Sequence, residues 1–231
     1  MYRSDMLQNG YVIIKNMFSQ EQLSKCKFDI HKYHLKNLDL IKTYKCGTSI
    51  TNFVDIPELI NVSMLKDDKK LIEVLDDIFG DKNYRYCNHN DIGVNRVMGW
   101  HKDKLNDKYT AYELQNIWKP YKEEIHEIYK VLIYLQDTKN ESSPKLIKKS
   151  HKNMGFNERT IDQDKNLIIP EINIGDVLIF DTRLTHKGID IEPQDEVRML
   201  VSFAFGKNNI FTDNFEKGTI IRQNNNDMRK P

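Results

Sequence analysis

The apolar positions along the chain change their period about a third of the way in. Up to residue 80 they recur mainly at helical spacing, and beyond it they fall into short runs of strand length. QNGYVIIK (8–15) predicts a first strand led in by a turn. In 17-MFSQEQLSKCKFDIHKYHL-35 apolar residues return every three or four positions, and Ser19 with Gln22 three later resembles a capping box, so a helix is predicted there. DDKKLIEVLDDIF (67–79) predicts a second amphipathic helix, with Gly80 where a C-cap glycine belongs. YRYCNHN (84–90) alternates with period two, and 91–103 predicts a loop returning into a strand end. Residues 108–129, long, polar and interrupted by Pro120, predict an insertion over one end of the fold. KVLIYLQD (130–137), NLII (166–169) and VRMLVSFAFG (197–206) predict strands, and 173–188 predicts a buried strand running to His186. The polar tail at about 207–231 is expected to fray. With helices first, short strands later, no repeat and no linker, the pattern predicts one domain over 1–231. Its class is α+β, mainly β, with a barrel or jelly-roll core flanked by N-terminal helices.

Composition narrows the function classes. Charged residues make up 30% of the chain, yet the formal net charge is only +1. A nucleic-acid binder that works through electrostatics would show a strong basic excess. The three cysteines, Cys26, Cys46 and Cys87, have no CxxC spacing and cannot all pair internally, which predicts reduced, buried thiols and a cytoplasmic setting. No apolar run approaches the ~20 residues of a membrane span, and the N-terminal stretch has no signal-peptide apolar core. Neither a nucleic acid nor a membrane is expected as a partner.

Candidate chemistry begins at 98-MGWHKDKLND-107. If 99–103 is extended, His101 and Asp103 project to the same face, because side chains at i and i+2 of a strand do so. The pair alone is equally well read as a surface turn. His186, 83 positions after Asp103 at the end of a predicted buried strand, supplies a third ligand. Two histidines and one carboxylate on one face of a metal are the ligand set of non-haem iron(II) oxygenases, with three positions left open. Arg198 follows His186 by 12 positions on the next predicted strand. A guanidinium there suits a bidentate carboxylate such as the distal end of 2-oxoglutarate; the competing reading is a structural ion pair.

Taken together these segments resemble the phytanoyl-CoA dioxygenase family of iron(II)/2-oxoglutarate oxygenases, over roughly 8–206. GYVIIKNMFSQEQL is similar to the family's opening strand and helix. WHKD matches its first metal-binding half, and VLIYLQDTKNESSPKLIKKSHK resembles its central strand and Ser-His-Lys loop. GDVLIFDTRLTHKG followed by VRMLVSFAFG resembles the closing strands with the second histidine and the arginine. The resemblance implies a double-stranded β-helix (jelly roll, cupin-like) flanked by N-terminal helices. It implies His101, Asp103 and His186 as iron(II) ligands, Arg198 as the holder of the distal carboxylate of 2-oxoglutarate, and dioxygen as the oxidant.

Three departures stand out. Gly188 replaces a serine two after the second histidine, Lys148 and Lys149 replace a Pro-Gly pair, and the histidine-to-arginine spacing is longer by one. Asp103 is present, unlike in the halogenating branches, which favours hydroxylation of a small organic substrate with conversion of 2-oxoglutarate to succinate and CO2.

Secondary candidates follow from strand faces. Leu132, Tyr134 and Gln136 share one face, which would let Tyr134 hydrogen-bond 2-oxoglutarate or simply fill the core. Tyr84, Tyr86, Asn88 and Asn90 share another, from which Asn88 would meet the proximal carboxylate. The lysines of 145–152 read as a solvated loop or as an attractor of anions. Two rival readings remain open: a jelly-roll binding protein without activity, and a cupin-like metalloenzyme that does not use 2-oxoglutarate. Arg198 speaks against the second, which has no need of a buried cation there.

Overall fold

The computed structural model describes residues 1–38, 42–43, 47–103, 127–153, 157, 159–189 and 197–224. The N-terminal third is helical. Helix α1 (Tyr2–Asn9) ends at Gly10, and β1 (Tyr11–Ile14) follows. Helix α2 (Gln20–Lys36) starts where the capping signal placed it, with the Ser19 side chain accepting from the Gln22 N–H. After β2 (Lys42–Thr43) and β3 (Thr48–Thr51), the short α3 (Ile60–Ser63) leads to α4 (Lys69–Phe79). Asp68 caps α4 at Lys70 and Leu71, and Gly80 closes it in the left-handed conformation. Leu71, Leu75, Ile78 and Phe79 make its buried stripe.

The remaining strands are β4 (Tyr84–Val94), β5 (Ile128–Tyr134), β6 (Lys145–Ile147), β7 (Leu167–Ile168), β8 (Val177–Asp181), β9 (His186–Lys187) and β10 (Met199–Lys207). They form two antiparallel sheets, ordered β1-β8-β5-β10-β4-β3-β2 and β7-β6-β9. One face of the larger sheet, carrying Val131, Ile133, Ile179, Val201 and Phe203, packs on the N-terminal helices. The other face, carrying Leu132, Tyr134, Leu178 and Phe180, packs with Leu146 of the small sheet and Leu184 of the β8–β9 turn. Strands buried on both faces read as continuous apolar runs instead of alternating ones, which is why VLIYL and VLIF appear as they do. The architecture is a jelly roll with helices covering one side.

Several expectations are corrected. Helix α1 precedes the first strand; only Met6 of it is buried, so its sequence lacks an apolar stripe to read. Residues 91–94 continue β4 and are not a loop, because Asp91–Val94 pair with both β3 and β10. The strand over 173–188 breaks at Asp181, and His186 belongs to the other sheet. The tail expected to fray forms α5 (Ile210–Asn224) as far as residue 224. Its Thr212, Phe215, Thr219 and Arg222 are buried at helical spacing against β4, a stripe hidden in a polar composition. Of the expected insertion, residues 108–126 lie outside the described residues, and 128–129 already belong to β5. Cys26 and Cys87 are buried, and Cys46 lies outside the described residues.

Gly10 turns the chain from α1 into β1 at φ 83°, and a Cβ there would lie 2.5 Å from His151 Nδ1 and 2.7 Å from Leu184 Cδ1. Gly10→Ala combines left-handed strain with a clash, and is expected to cost about 1–3 kcal/mol. That lowers the melting midpoint by roughly 3–10 °C in a chain of this size. An unchanged midpoint in a thermal melt contradicts this packing.

Candidate metal centre

The turn that leaves β8 is stiffened by its own residues. Leu184 N–H bonds Asp181 C=O at 2.8 Å, and the Asp181 carboxylate accepts the Arg183 backbone N–H at 2.8 Å and its guanidinium at 2.9 and 2.6 Å. This turn delivers His186 to the start of β9. There His186 and His101 exchange two backbone hydrogen bonds, both 2.9 Å, and Asp103 N–H bonds Thr182 C=O at 3.1 Å. The 99–103 segment is thus a single bridge and not a regular strand, but the bridge still sends His101 and Asp103 to one side. The imidazoles of His101 and His186 lie 4.1 Å apart, and one ligand atom from each of His101, Asp103 and His186 falls within 4.8 Å of the others.

Both rings are oriented through their backs. His101 Nδ1 donates to Gly99 C=O at 2.8 Å and His186 Nδ1 to Leu184 C=O at 2.9 Å. With Nδ1 carrying the proton, each Nε2 presents a lone pair, the tautomer a metal needs. Burial, and next to it the neighbouring His101, pushes the His186 imidazole down to about 3, so it is neutral at physiological pH. For Asp103, burial is the largest single influence and acts upward. Lys130 and the two imidazoles together outweigh it and hold the carboxyl well below the usual range. His101 Nε2 and Asp103 Oδ2 are buried and have no partner among the described residues. Orphaned acceptors in such a place are costly in isolation, and two neutral imidazoles beside a carboxylate are a donor set for a divalent transition metal. The residues fit a metal ion.

Lys102, between the two ligands, points the other way. Its side chain is fully buried, and Nζ donates to Ser150 C=O and Arg183 C=O, both at 2.6 Å. Burial pushes its pKa down to about 8, which leaves it protonated at neutral pH. One ammonium thus ties the ligand segment to the Ser-His-Lys loop and to the β8–β9 turn.

A cavity of about 130 Å³ opens beside the three ligands. Arg198, just before β10, lines it together with Tyr134, Leu132, Leu200 and Ser202. The extra residue in the connection does not turn Arg198 away. Its side chain is buried, its Nε has no partner among the described residues, and its Cζ lies 5.0 Å from the Tyr134 ring centre. Gln136 does not line the cavity; its carbonyl accepts the Met199 N–H at 2.7 Å. Trp100 Nε1 donates to Asp162 Oδ1 at 3.2 Å.

Asn88 is not brought to the site. Between Tyr86 and Asn90 β4 advances four residues while β10 advances two, from Phe203 to Phe205, and Asn88 sits on the bulge at φ 54°. It is exposed and bonds Glu216 of α5. The face shared by Tyr84, Tyr86 and Asn90 looks toward the helices; His89, Asp91 and Gly93 line the cavity instead. Lys130 and, from α5, Phe215, Thr219 and Arg222 also line it and were not anticipated. The alternation through Leu132 and Tyr134, extended back two residues, points to Lys130.

The phytanoyl-CoA dioxygenase family model matches residues 6–192. No curated protein gives a match. Among solved structures, HygX from Streptomyces hygroscopicus with nickel and 2-oxoglutarate bound is 16% identical. The alignment covers 90% of this chain and 88% of that one, with a TM-score of 0.64. SnoK, a non-haem α-ketoglutarate-dependent carbocyclase from nogalamycin biosynthesis, is 14% identical over 88% and 82% of the two chains, with a TM-score of 0.67. SnoN, an epimerase from the same biosynthesis, is 12% identical over 88% and 80%, with a TM-score of 0.64. Among the described residues no helix is long and apolar enough to cross a membrane.

Two predictions follow from the buried groups. Lys102→Met leaves two buried carbonyls without their donor, which is expected to cost about 1–3 kcal/mol; equal denaturant midpoints for variant and parent contradict the clamp. The second concerns pH. Burial also drives His89 down to about 3. Folded pKa values for His89 and His186 below the unfolded value of about 6.5 mean that the unfolded chain binds more protons between pH 6.5 and 3. Their contribution is complete above pH 6.5 and is lost as pH falls toward 3. At pH 5 the metal-free protein should have lost about 2 kcal/mol for each histidine. Urea denaturation at pH 7 and pH 5 checks this, and equal stabilities contradict it.

Proposed function

The chain belongs to the phytanoyl-CoA dioxygenase family of iron(II)- and 2-oxoglutarate-dependent oxygenases, and on that premise we propose that it hydroxylates a small organic substrate while converting 2-oxoglutarate to succinate and CO2. The observation that carries this reading is the convergence on one cavity of His101, Asp103 and His186 with Arg198, a buried cation that has no carboxylate partner among the described residues. In this reading the two histidines and Asp103 hold iron(II). Arg198 takes the distal carboxylate of 2-oxoglutarate in a two-bonded fork, and the Tyr134 ring packs beside that guanidinium. Bound iron(II) supplies the oxidising chemistry with dioxygen and 2-oxoglutarate. The protein's own part is to fix orientation, keep His186 neutral and keep water from the cavity through Phe180, Leu132 and Leu200.

The presence of Asp103 favours hydroxylation over halogenation. SnoN is an epimerase and SnoK a carbocyclase, so proteins of this fold also carry out epimerisation and ring closure, and the oxidative outcome is the finer part of the proposal. HygX has been solved with hygromycin B bound, which supports a small-molecule substrate. A single catalytic domain over 1–231 in the cytoplasm completes the reading, supported by the free thiol of Cys26.

Succinate formation from 2-oxoglutarate under air tests the proposal. Asp103→Ala is expected to fall to the level of metal-free protein while retaining its fold by circular dichroism. Full turnover in that variant, with iron bound, sinks the ligand assignment. Arg198→Lys replaces a fork with a point charge and is expected to weaken 2-oxoglutarate binding by roughly tenfold to a hundredfold. Unchanged affinity removes Arg198 from that role.

A further inference from the structure

Lys130 lies on β5 in the cavity wall, two residues before Leu132 and four before Tyr134. Its Nζ donates to Asp103 Oδ1 at 3.1 Å. His101 Nε2 is 3.7 Å from the same oxygen, too far for a hydrogen bond. The other oxygen, Oδ2, is buried and has no partner among the described residues. The two lobes of one carboxylate therefore stand in different states: one is held by an ammonium and the other is open.

We propose that Lys130 is a positioning residue that occupies one oxygen of Asp103, so that the carboxylate ligates the metal through a single oxygen. The inference rests on the metal-site half of the proposed function and concerns how many positions the ligands leave open. A carboxylate can take a metal with one oxygen or with both. With two histidines and one carboxylate oxygen, three positions of an octahedral metal stay open; with both oxygens, only two do. A bidentate co-substrate and a third ligand need all three. The ion pair sits in a largely buried wall, with both side chains 13% exposed, so it is weakly screened by solvent. The Asp103 backbone is fixed independently by its bond to Thr182. What Lys130 controls is accordingly the rotation of the carboxylate, not the location of the residue.

The test uses the full chain loaded with cobalt(II), without 2-oxoglutarate, and reads the visible ligand-field spectrum, which reports coordination number and ligand type. Lys130→Met keeps the length of the side chain and removes the donor; Lys130→Gln keeps a donor without the charge. The expected result is an altered cobalt spectrum in Lys130→Met with one equivalent of metal still bound, and a spectrum close to the parent's in Lys130→Gln. Iron-loaded Lys130→Met is also expected to bind 2-oxoglutarate about tenfold more weakly. Identical cobalt spectra in parent and Lys130→Met overturn the inference. So does loss of cobalt from a folded Lys130→Met, because the lysine would then hold Asp103 in place as a whole. A Lys130→Gln spectrum matching that of Lys130→Met also overturns it. Should methionine not be accommodated, Lys130→Leu carries the same comparison. A parent protein that binds no cobalt sinks the metal site itself. Normal cobalt spectra with no 2-oxoglutarate binding fault only the co-substrate reading.

Discussion

Two backbone hydrogen bonds between His101 and His186, each 2.9 Å, join the segment after β4 to the turn after β8. The metal centre depends on this bridge. Neither segment is long enough to hold a geometry alone. The bridge sets the two imidazoles 4.1 Å apart and, through the second bond from Asp103 to Thr182, brings the carboxylate to the same side. The chain surrounds the bridge with fixed partners: the Asp181–Arg183 fork on one side and the Lys102 ammonium beneath. All of these are short-range and buried, so they hold geometry at the scale of a fraction of an ångström, which a metal site requires.

The same region concentrates polar groups that a core ordinarily excludes. Asp103, Lys130, His89, Asp91, Arg198 and Arg222 all line one cavity of the jelly roll. Burying charges is expensive unless they are paired, and most of these are: Lys130 with Asp103 at 3.1 Å and Arg222 with Asp91 at 2.7 Å. Several buried polar atoms are left open among the described residues, and three of them, His101 Nε2, Asp103 Oδ2 and Arg198 Nε, stand where a metal and an anionic co-substrate would satisfy them. The cost of the unsatisfied set is the physical sign that the site is built for ligands.

Much of this was legible in the sequence, for reasons that can be named. The start of α2 and the end of α4 rest on local chemistry, so Ser19 and Gly80 announce them. His101, Asp103, His186 and Arg198 were singled out because metal and carboxylate chemistry restricts residue type, and the family resemblance implies their order; the structure brings the four to one cavity. What failed depended on partners distant in the chain. Asn88 was placed by counting alternation, and the bulge between Tyr86 and Asn90 took it out to solvent. Helix α5 was hidden because Thr212, Thr219 and Arg222 are buried polar residues, which a hydrophobic pattern does not register. Lys130 looked like an ordinary strand charge, since the sequence does not show that Asp103 lies across from it.

The central claim is that the three ligands and Arg198 form one centre that takes iron(II) and 2-oxoglutarate together. It is tested most directly by titrating 2-oxoglutarate into anaerobic, iron(II)-loaded protein and following the visible charge-transfer band of the chelate. The account predicts a saturable band that disappears in Asp103→Ala and needs higher 2-oxoglutarate in Arg198→Lys. Iron bound at one equivalent with no band at any 2-oxoglutarate concentration would contradict it.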